Sequence, residues 1–355
     1  MSFNYIGSKK KLIDFLDNVV NKIVSTYKDK TNIKFFDGFA GTGIVGSSFH
    51  KKYNFITISN DLEYYSYIIN YSLLCVSYSK KLETLIKEIN NDLNDDNNKV
   101  IKNYDLITMN YSPKGKDKRK FWTDTNAIRC DYIRFIIDTK LEKNVITEDE
   151  HIYLIGSLLA SMDSVANTAC VYGAFLKQFK KTANEKLVLK PIHINDNLNS
   201  NNKVYNVDIN SDTIYNEEFD ICYLDPPYNN RQYSANYYPL NYIALYDKNL
   251  EIYGKTGLIK NYNKSKYCNK LSAIKMLELL VSNIKTKHIL LSYNNEGIMN
   301  FEEIKKVLMS KGKVILYKKE YKKFKSNNNQ ISVGVNEYLF YCEQSDDKTF
   351  TEIII

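Results

Sequence analysis

The sequence has one tryptophan, five prolines and no C-x-x-C pair. Its six cysteines, Cys75, Cys130, Cys170, Cys222, Cys268 and Cys342, are scattered, a pattern of reduced, packed thiols and not of a disulfide framework. The four histidines, His50, His151, His193 and His288, are equally dispersed, so no spacing suggests a metal site. No apolar run reaches the ~18 residues of a membrane span. The basic start at Lys9-Lys10-Lys11 is not followed by the apolar stretch of a signal peptide. Internal repeats are missing too. These absences point to a cytoplasmic protein that works without metal or membrane.

What is present is a chain of 355 residues, long enough for about two domains. Its 49 basic and 41 acidic residues leave a net charge of +8. That excess is modest; it fits a nucleic-acid partner without requiring one.

The stretch Phe219-Asp220-Ile221-Cys222-Tyr223-Leu224 is a short apolar run of the kind that forms a buried parallel strand. Asp225-Pro226-Pro227-Tyr228 follows at its carboxyl end, the edge where open α/β sheets bind ligands. Each proline fixes φ and removes a backbone donor. The loop therefore offers carbonyl acceptors, one carboxylate and one aromatic face, a set that suits a flat ring with an exocyclic amine. Asp225 and the Pro226 carbonyl would accept the two amine hydrogens and favour a pyramidal nitrogen. Tyr228 would stack on the ring. Positive charge developing on the nitrogen would sit beside the Asp225 carboxylate. The alternative is an ordinary strand with a Pro-Pro turn.

Ile33-Lys34-Phe35-Phe36-Asp37 reads as another strand, entering Gly38-Phe39-Ala40-Gly41-Thr42-Gly43 and a helix from Ile44. This is the opening of a nucleotide-binding fold. Gly41, Gly43 and Gly46 spell G-x-G-x-x-G, and Asp61 lies 61 − 41 = 20 residues on, ending a second strand. That spacing keeps a nicotinamide-dependent dehydrogenase open as an alternative. Asp61 is placed to bind ribose hydroxyls, or to cap the helix beginning Leu62-Glu63-Tyr64, or both.

Between residues 75 and 205 the nucleotide-fold rhythm breaks. The run from Lys114 to Lys120, beside Tyr111, Phe121 and Trp122, suits a phosphate-contacting loop, with a solvated charge run as the plain alternative. Helical segments are expected near 126–138 and 150–179. Strand character returns at Val204–Asp208, and a helix is expected at 241–247. Residues 255–270 read as a surface loop. Leu271–Ile284 reads as a helix and His288–Asn294 as a strand. Lys313–Tyr321 and Val333–Tyr341 read as an antiparallel pair around the basic link 322–330.

With these motifs in order, the chain resembles the Dam-like DNA adenine methyltransferases over most of its length. Asn4-Tyr5-Ile6-Gly7-Ser8-Lys9 resembles the cofactor lid, with Tyr5 as the aromatic and Lys9 as the basic position. Asp37 to Gly43 resembles the cofactor loop, which implies contacts from Asp37, Phe39, Gly41 and Gly43. Asp61 stands at the ribose-binding acid. Asp225-Pro226-Pro227-Tyr228 resembles the catalytic loop, with Asp225 also facing the cofactor. Asn229 to Tyr238 resembles its extension, which would direct Arg231 and Asn236 to DNA. Ser292-Tyr293-Asn294 and Asn336 to Phe340 resemble later strands; Phe121-Trp122-Thr123 and Asn167 to Lys177 resemble larger restriction-modification members.

The resemblance implies an α/β, Rossmann-like S-adenosylmethionine-dependent methyltransferase sheet. Residues 1–75 and 205–355 would form the catalytic domain. Residues 76–204 would form an inserted, largely helical target-recognition region. S-adenosylmethionine is the implied methyl donor, and a flipped adenine in double-stranded DNA the acceptor. Lys116, Lys118, Arg119 and Lys120 would then contact phosphates. A short palindrome such as CATG and a cognate restriction endonuclease would complete the system. RNA or N4-cytosine methylation shares fold and cofactor and stays open; Asp rather than Ser before Pro-Pro favours adenine.

Overall fold

The computed structural model describes residues 9–94, 104–196, 198–321 and 335–354. Helix α1 (Ile13–Thr26) buries Phe15, Leu16, Val19, Val20, Ile23 and Val24, a stripe at helical spacing. Strand β1 (Lys34–Asp37) leads through helix α2 (Ile44–Tyr53) to strand β2 (Ile56–Asn60) and helix α3 (Tyr64–Leu74). Four helices follow: α4 (Lys80–Asn94), α5 (Leu106–Tyr111), α6 (Asp124–Glu142) and α7 (Glu148–Ser164). The chain then enters β3 (Lys203–Tyr205), a short α8 (Asp212–Tyr215), β4 (Glu218–Leu224) and α9 (Tyr233–Leu245). A two-stranded hairpin of β5 (Ile252–Tyr253) and β6 (Leu258–Ile259) comes next. The remainder is α10 (Ala273–Asn283), β7 (Lys285–Asn294), α11 (Phe301–Lys311), β8 (Gly312–Tyr321), β9 (Val335–Gln344) and β10 (Phe350–Ile354).

Eight strands form one sheet in the order β10-β8-β9-β7-β4-β1-β2-β3. All neighbours run parallel except β9, which is antiparallel to both β7 and β8. The fold is therefore mixed α/β with a large, mostly parallel central sheet. Strand β4 is covered on both faces, which explains its near-continuous apolar sequence. Ile221 and Tyr223 pack with α1 and Phe35, whereas Cys222 and Leu224 pack with Phe36 and with Leu277 and Leu280 of α10. After β1 the chain moves outward one way to β2 and β3, then returns to β4 on the other side of β1. That reversal leaves a crevice at the carboxyl ends of β1 and β4.

A third core joins α3–α7 with α9 around Trp122, Tyr111, Tyr153 and Tyr172. Helix α7 ends at Ser164, where the apolar pattern had suggested helix to residue 179. Asn167 turns the chain instead. Its amide donates to the carbonyls of Lys120 at 2.9 Å and Leu176 at 3.1 Å, and its oxygen accepts from Lys180 N–H at 3.0 Å. Val171 and Phe175, which supplied part of the apolar spacing, pack onto the aromatic core from a loop, beside the buried Tyr172. The final antiparallel pair forms as β8 and β9, while the link 322–330 lies outside the described residues. Residues 255–270 hold more than a surface loop: they include most of the hairpin and the buried Tyr267 and Cys268.

Candidate active site

A cleft of about 800 Å³, including its open mouth, lies at the carboxyl ends of β1, β2 and β4. Gly38 and Phe39 wall it after β1, Asp61, Leu62 and Glu63 after β2, and Asp225 and Pro227 after β4. Tyr233 opens α9, and Ser265, Lys266 and Tyr267 close the far side. Phe39 meets Tyr267 edge-on with ring centroids 5.0 Å apart. Apolar and aromatic walls with a few carboxylates suit a nucleoside that carries a cationic group.

The glycine loop is held from behind. Gly41 and Gly43 have φ of 52° and 71°, the left-handed region that favours glycine. A Cβ on Gly43 would stand 2.7 Å from Asn70 Oδ1. The Gly41 N–H donates to Asp61 Oδ2 at 2.8 Å, and the Gly41 carbonyl accepts from Ser66 at 2.5 Å and Asn70 at 3.0 Å. Asp61 Oδ1 accepts from Glu63 N–H at 2.9 Å, so the same carboxylate ties the loop and fixes the turn that precedes α3. Burial pushes the Asp61 carboxyl up, and the N–H groups of Glu63 and Gly41 pull it back. Gly38 and Phe39 form the wall itself; Gly41 and Gly43 shape the loop behind it.

Asp37 ends β1 fully buried. Its Oδ2 accepts from Gly46 N–H at 2.9 Å, while Oδ1 has no partner among the described residues. Burial raises its pKa to about 7; the Gly46 N–H opposes the shift, and the charges of Asp225 and Asp61 add to it.

The Asp-Pro-Pro-Tyr turn carries the second half of the site. Lys9 Nζ lies 2.9 Å from Asp225 Oδ2 and also bonds the Tyr228 hydroxyl, which in turn donates to Asp225 Oδ1. Pro226 and Pro227 are buried. The Tyr228 ring meets Tyr293 edge-on at 5.1 Å, and its carbonyl accepts from Ile298 N–H at 3.0 Å. Tyr5 lies outside the described residues.

Sequence reasoning missed Glu63. It is buried at the cleft wall, accepting from Ser234 and, at 2.8 Å, from Asn241, both on α9. Burial lifts its pKa to about 7, against the hydrogen bonds from Ser234 and Asn241. Only tertiary folding brings these residues together, since 171 positions separate Glu63 from Ser234. Lys266 and Tyr267 were missed because a lysine- and asparagine-rich stretch reads as solvent-facing.

The expected DNA contacts divide. Lys116, Lys118 and Arg231 are exposed, and Lys120 is half-buried with Nζ 2.9 Å from the Lys177 carbonyl. Arg119 is 3% exposed and faces inward. It donates to the carbonyls of Asn110 at 2.8 Å, Lys255 at 3.1 Å and Gly254 at 3.1 Å, and pairs with Asp117 at 2.7 Å. Its charge is spent on the fold, so it is corrected from a phosphate contact to an internal clamp. Asn236 is likewise buried, at 6% exposure, and is removed from the surface contacts. Phe121 and Trp122 belong to the core and offer no open stacking face.

Among the described residues no cluster of His, Cys, Asp and Glu could hold a metal, and no helix is long and apolar enough to cross a membrane. Residues 5–307 match the model of the D12 class N6 adenine-specific DNA methyltransferases. The chain belongs to that family. It is 38% identical over 349 residues to the type II methyltransferase M.NlaIII of Neisseria lactamica, covering 96% of this chain and 99% of that protein. M.CviAII of Paramecium bursaria Chlorella virus 1 is 38% identical over 343 residues, covering 96% and 98%. M.FokI of Planomicrobium okeanokoites is 38% identical over 353 residues, and this chain spans 52% of its length. No solved structure matches this chain. The protein is an adenine N6 DNA methyltransferase, and the dehydrogenase, RNA and cytosine alternatives are set aside.

Proposed function

We propose that the protein transfers a methyl group from S-adenosylmethionine to the N6 amine of an adenine flipped out of a short, specific duplex sequence. It serves as the modification half of a restriction-modification system in the cytoplasm, as the type II names of its relatives suggest. The observation that carries this reading is that Asp61 and Asp225 line one cleft beside the glycine loop. The cofactor supplies an electrophilic methyl on a sulfonium. Asp61 takes the ribose hydroxyls, Phe39 and the adjacent wall take the adenine ring, and the unpartnered Asp37 oxygen receives a polar group of the cofactor.

Asp225 and the Pro226 carbonyl accept the two hydrogens of the target amine and hold its lone pair toward the methyl. The Asp225 carboxylate stabilises positive charge developing on that nitrogen, which releases one proton to solvent after its bond to the methyl carbon forms and the carbon–sulfur bond breaks. The target amine reaches Asp225 by taking over the hydrogen-bonding position that Lys9 holds. Stacking on Tyr228 offsets part of the cost of flipping, about 1–3 kcal/mol per base. Residues 76–204 supply target recognition, and Lys116, Lys118 and Lys120 contact phosphates.

The test is methylation of duplex DNA with labelled donor, followed by methylation-aware sequencing. N6-methyladenine confined to one short motif is expected. N4-methylcytosine, or transfer to RNA alone, would sink the reading. A cognate endonuclease is tested by its failure to cut the modified DNA.

A further inference from the structure

The turn of the β5–β6 hairpin, Gly254-Lys255-Thr256-Gly257, is fixed in an unusual way. All four of its carbonyls accept hydrogen bonds from side chains packed beneath it. Arg119 serves Gly254 and Lys255 at 3.1 Å each; Tyr238 serves Thr256 at 2.9 Å; Tyr111 serves Gly257 at 2.9 Å. Arg119 and both tyrosines are buried. Gly257, at φ 76°, has room for nothing larger: a Cβ there would lie 2.9 Å from the Arg119 guanidinium carbon. A Cβ on Gly254 would meet nothing within 4 Å, so that side of the turn is open. Three buried side chains thus fix a four-residue turn whose leading half, Gly254 and Lys255, is exposed.

The charge of this segment is one-sided. Residues 252–272 contain five lysines and no acidic residue. Lys260 is paired with Glu251 at 2.6 Å. Lys255, Lys264, Lys266 and Lys270 are exposed. The segment also runs back to the reaction cleft. Gln232 holds Ser265 through a reciprocal pair at 3.2 and 2.8 Å, the Asn263 carbonyl lies 2.7 Å from Ser234 Oγ, and Lys266 lines the cleft.

We propose that the hairpin and its lysine-rich return, residues 252–270, form an arm that binds the phosphate backbone of duplex DNA, with Lys255 at its tip and Arg119 as the positioning residue. The inference rests on the adenine-methylation reading. A base entering the cleft brings its flanking phosphates to the cleft rim, where this arm lies. Engaging the turn carbonyls from below removes competing acceptors from the surface that a phosphate must approach, and leaves lysine charge facing out. Arg119 also joins this arm to the loop of Lys116 and Lys118, so two sequence-distant lysine groups become one basic face.

The test measures duplex affinity against salt for the whole protein, with wild type, Lys255→Gln, the triple variant Lys255→Gln/Lys264→Gln/Lys270→Gln, and Arg119→Met. Each lost phosphate contact reduces the log–log slope by ~0.9. The single variant is expected to lose about one such step and the triple variant two or three, on cognate and unrelated duplexes alike, with cofactor affinity unchanged. Arg119→Met leaves every exposed lysine in place but unpairs the Asp117 carboxylate, so it is expected to lose duplex affinity, and the exposed lysine variants carry the test if it fails to fold. An unchanged slope in the triple variant would overturn the arm. If wild type itself fails to methylate adenine in DNA, the functional reading falls; if it methylates and only the slope is unmoved, the arm alone falls.

Discussion

Lys9 and Asp225 form an ion pair at 2.9 Å that joins the first described residue to the catalytic turn, with the Lys9 side chain 4% exposed. Asp225 therefore both positions the lysine and faces the cleft. Asp225→Ala removes the amine acceptor and the charge opposite the developing cation, so single-turnover methylation of a duplex with one target adenine should fall by ~10²–10³. Full activity would overturn the assignment of this turn as the catalytic centre.

Tyr228 separates stacking from proton chemistry. Its hydroxyl is bound to Asp225 and Lys9, and the residue is half-buried with Lys9 Nζ 4.7 Å from the ring centroid. Tyr228→Phe and Tyr228→Trp should keep much of the single-turnover rate, and Tyr228→Ala should lose most of it. Equal damage from Phe and Ala would assign the role to the hydroxyl instead.

Asp61 touches the Gly41 N–H and the cleft together. Asp61→Ala should weaken S-adenosylmethionine binding by about tenfold or more, ~1.4 kcal/mol, by calorimetry. Cofactor-free DNA binding should change far less. Unaltered cofactor affinity would remove Asp61 from the site.

Glu63 gives a pH signature. Its folded pKa of about 7 stands above the ordinary 4.5. Between those values the folded protein holds a proton that the unfolded chain has released, so stability falls as pH rises through this window and levels off above it. Asp37, also near 7, acts in the same direction. Glu63→Gln cancels the Glu63 share. Its melting temperature should gain on wild type as pH climbs from 4.5 to 7, by the equivalent of ~1–3 kcal/mol. Parallel curves would show that Glu63 does not titrate there.

Gly156 sets the approach of α7 to α3. A Cβ there would stand 2.3 Å from Ser72 Oγ and 3.0 Å from Ser72 Cβ. Gly156→Ala should cost ~1–3 kcal/mol in denaturant unfolding by overpacking. Adding Ser72→Ala should recover part of that loss, because the hydroxyl is the nearer atom. Additive costs would place the strain elsewhere.

Local chemistry made much of this protein legible. Ile221–Leu224 is apolar without alternation because β4 is covered on both faces, and Asp225–Tyr228 follows it because two prolines end a strand. Asp37, the left-handed glycines and Asp61 were visible because a tight turn and a second strand end constrain residue type at fixed spacing. The sequence by itself also determined the antiparallel pair β8 and β9, through two short apolar runs, Val314–Tyr317 and Tyr338–Cys342. It did not determine what depends on distant partners. Helical spacing in 165–179 could not reveal that Asn167 would take three backbone groups and break the helix. A basic run could not show that Arg119 turns inward while Lys116 and Lys118 stay out, since two of the three carbonyls that claim Arg119 lie 135 and 136 residues away. Charge and periodicity report which side chains a segment offers. Which of them remain free for a substrate is decided only when the fold has satisfied its own buried polar groups.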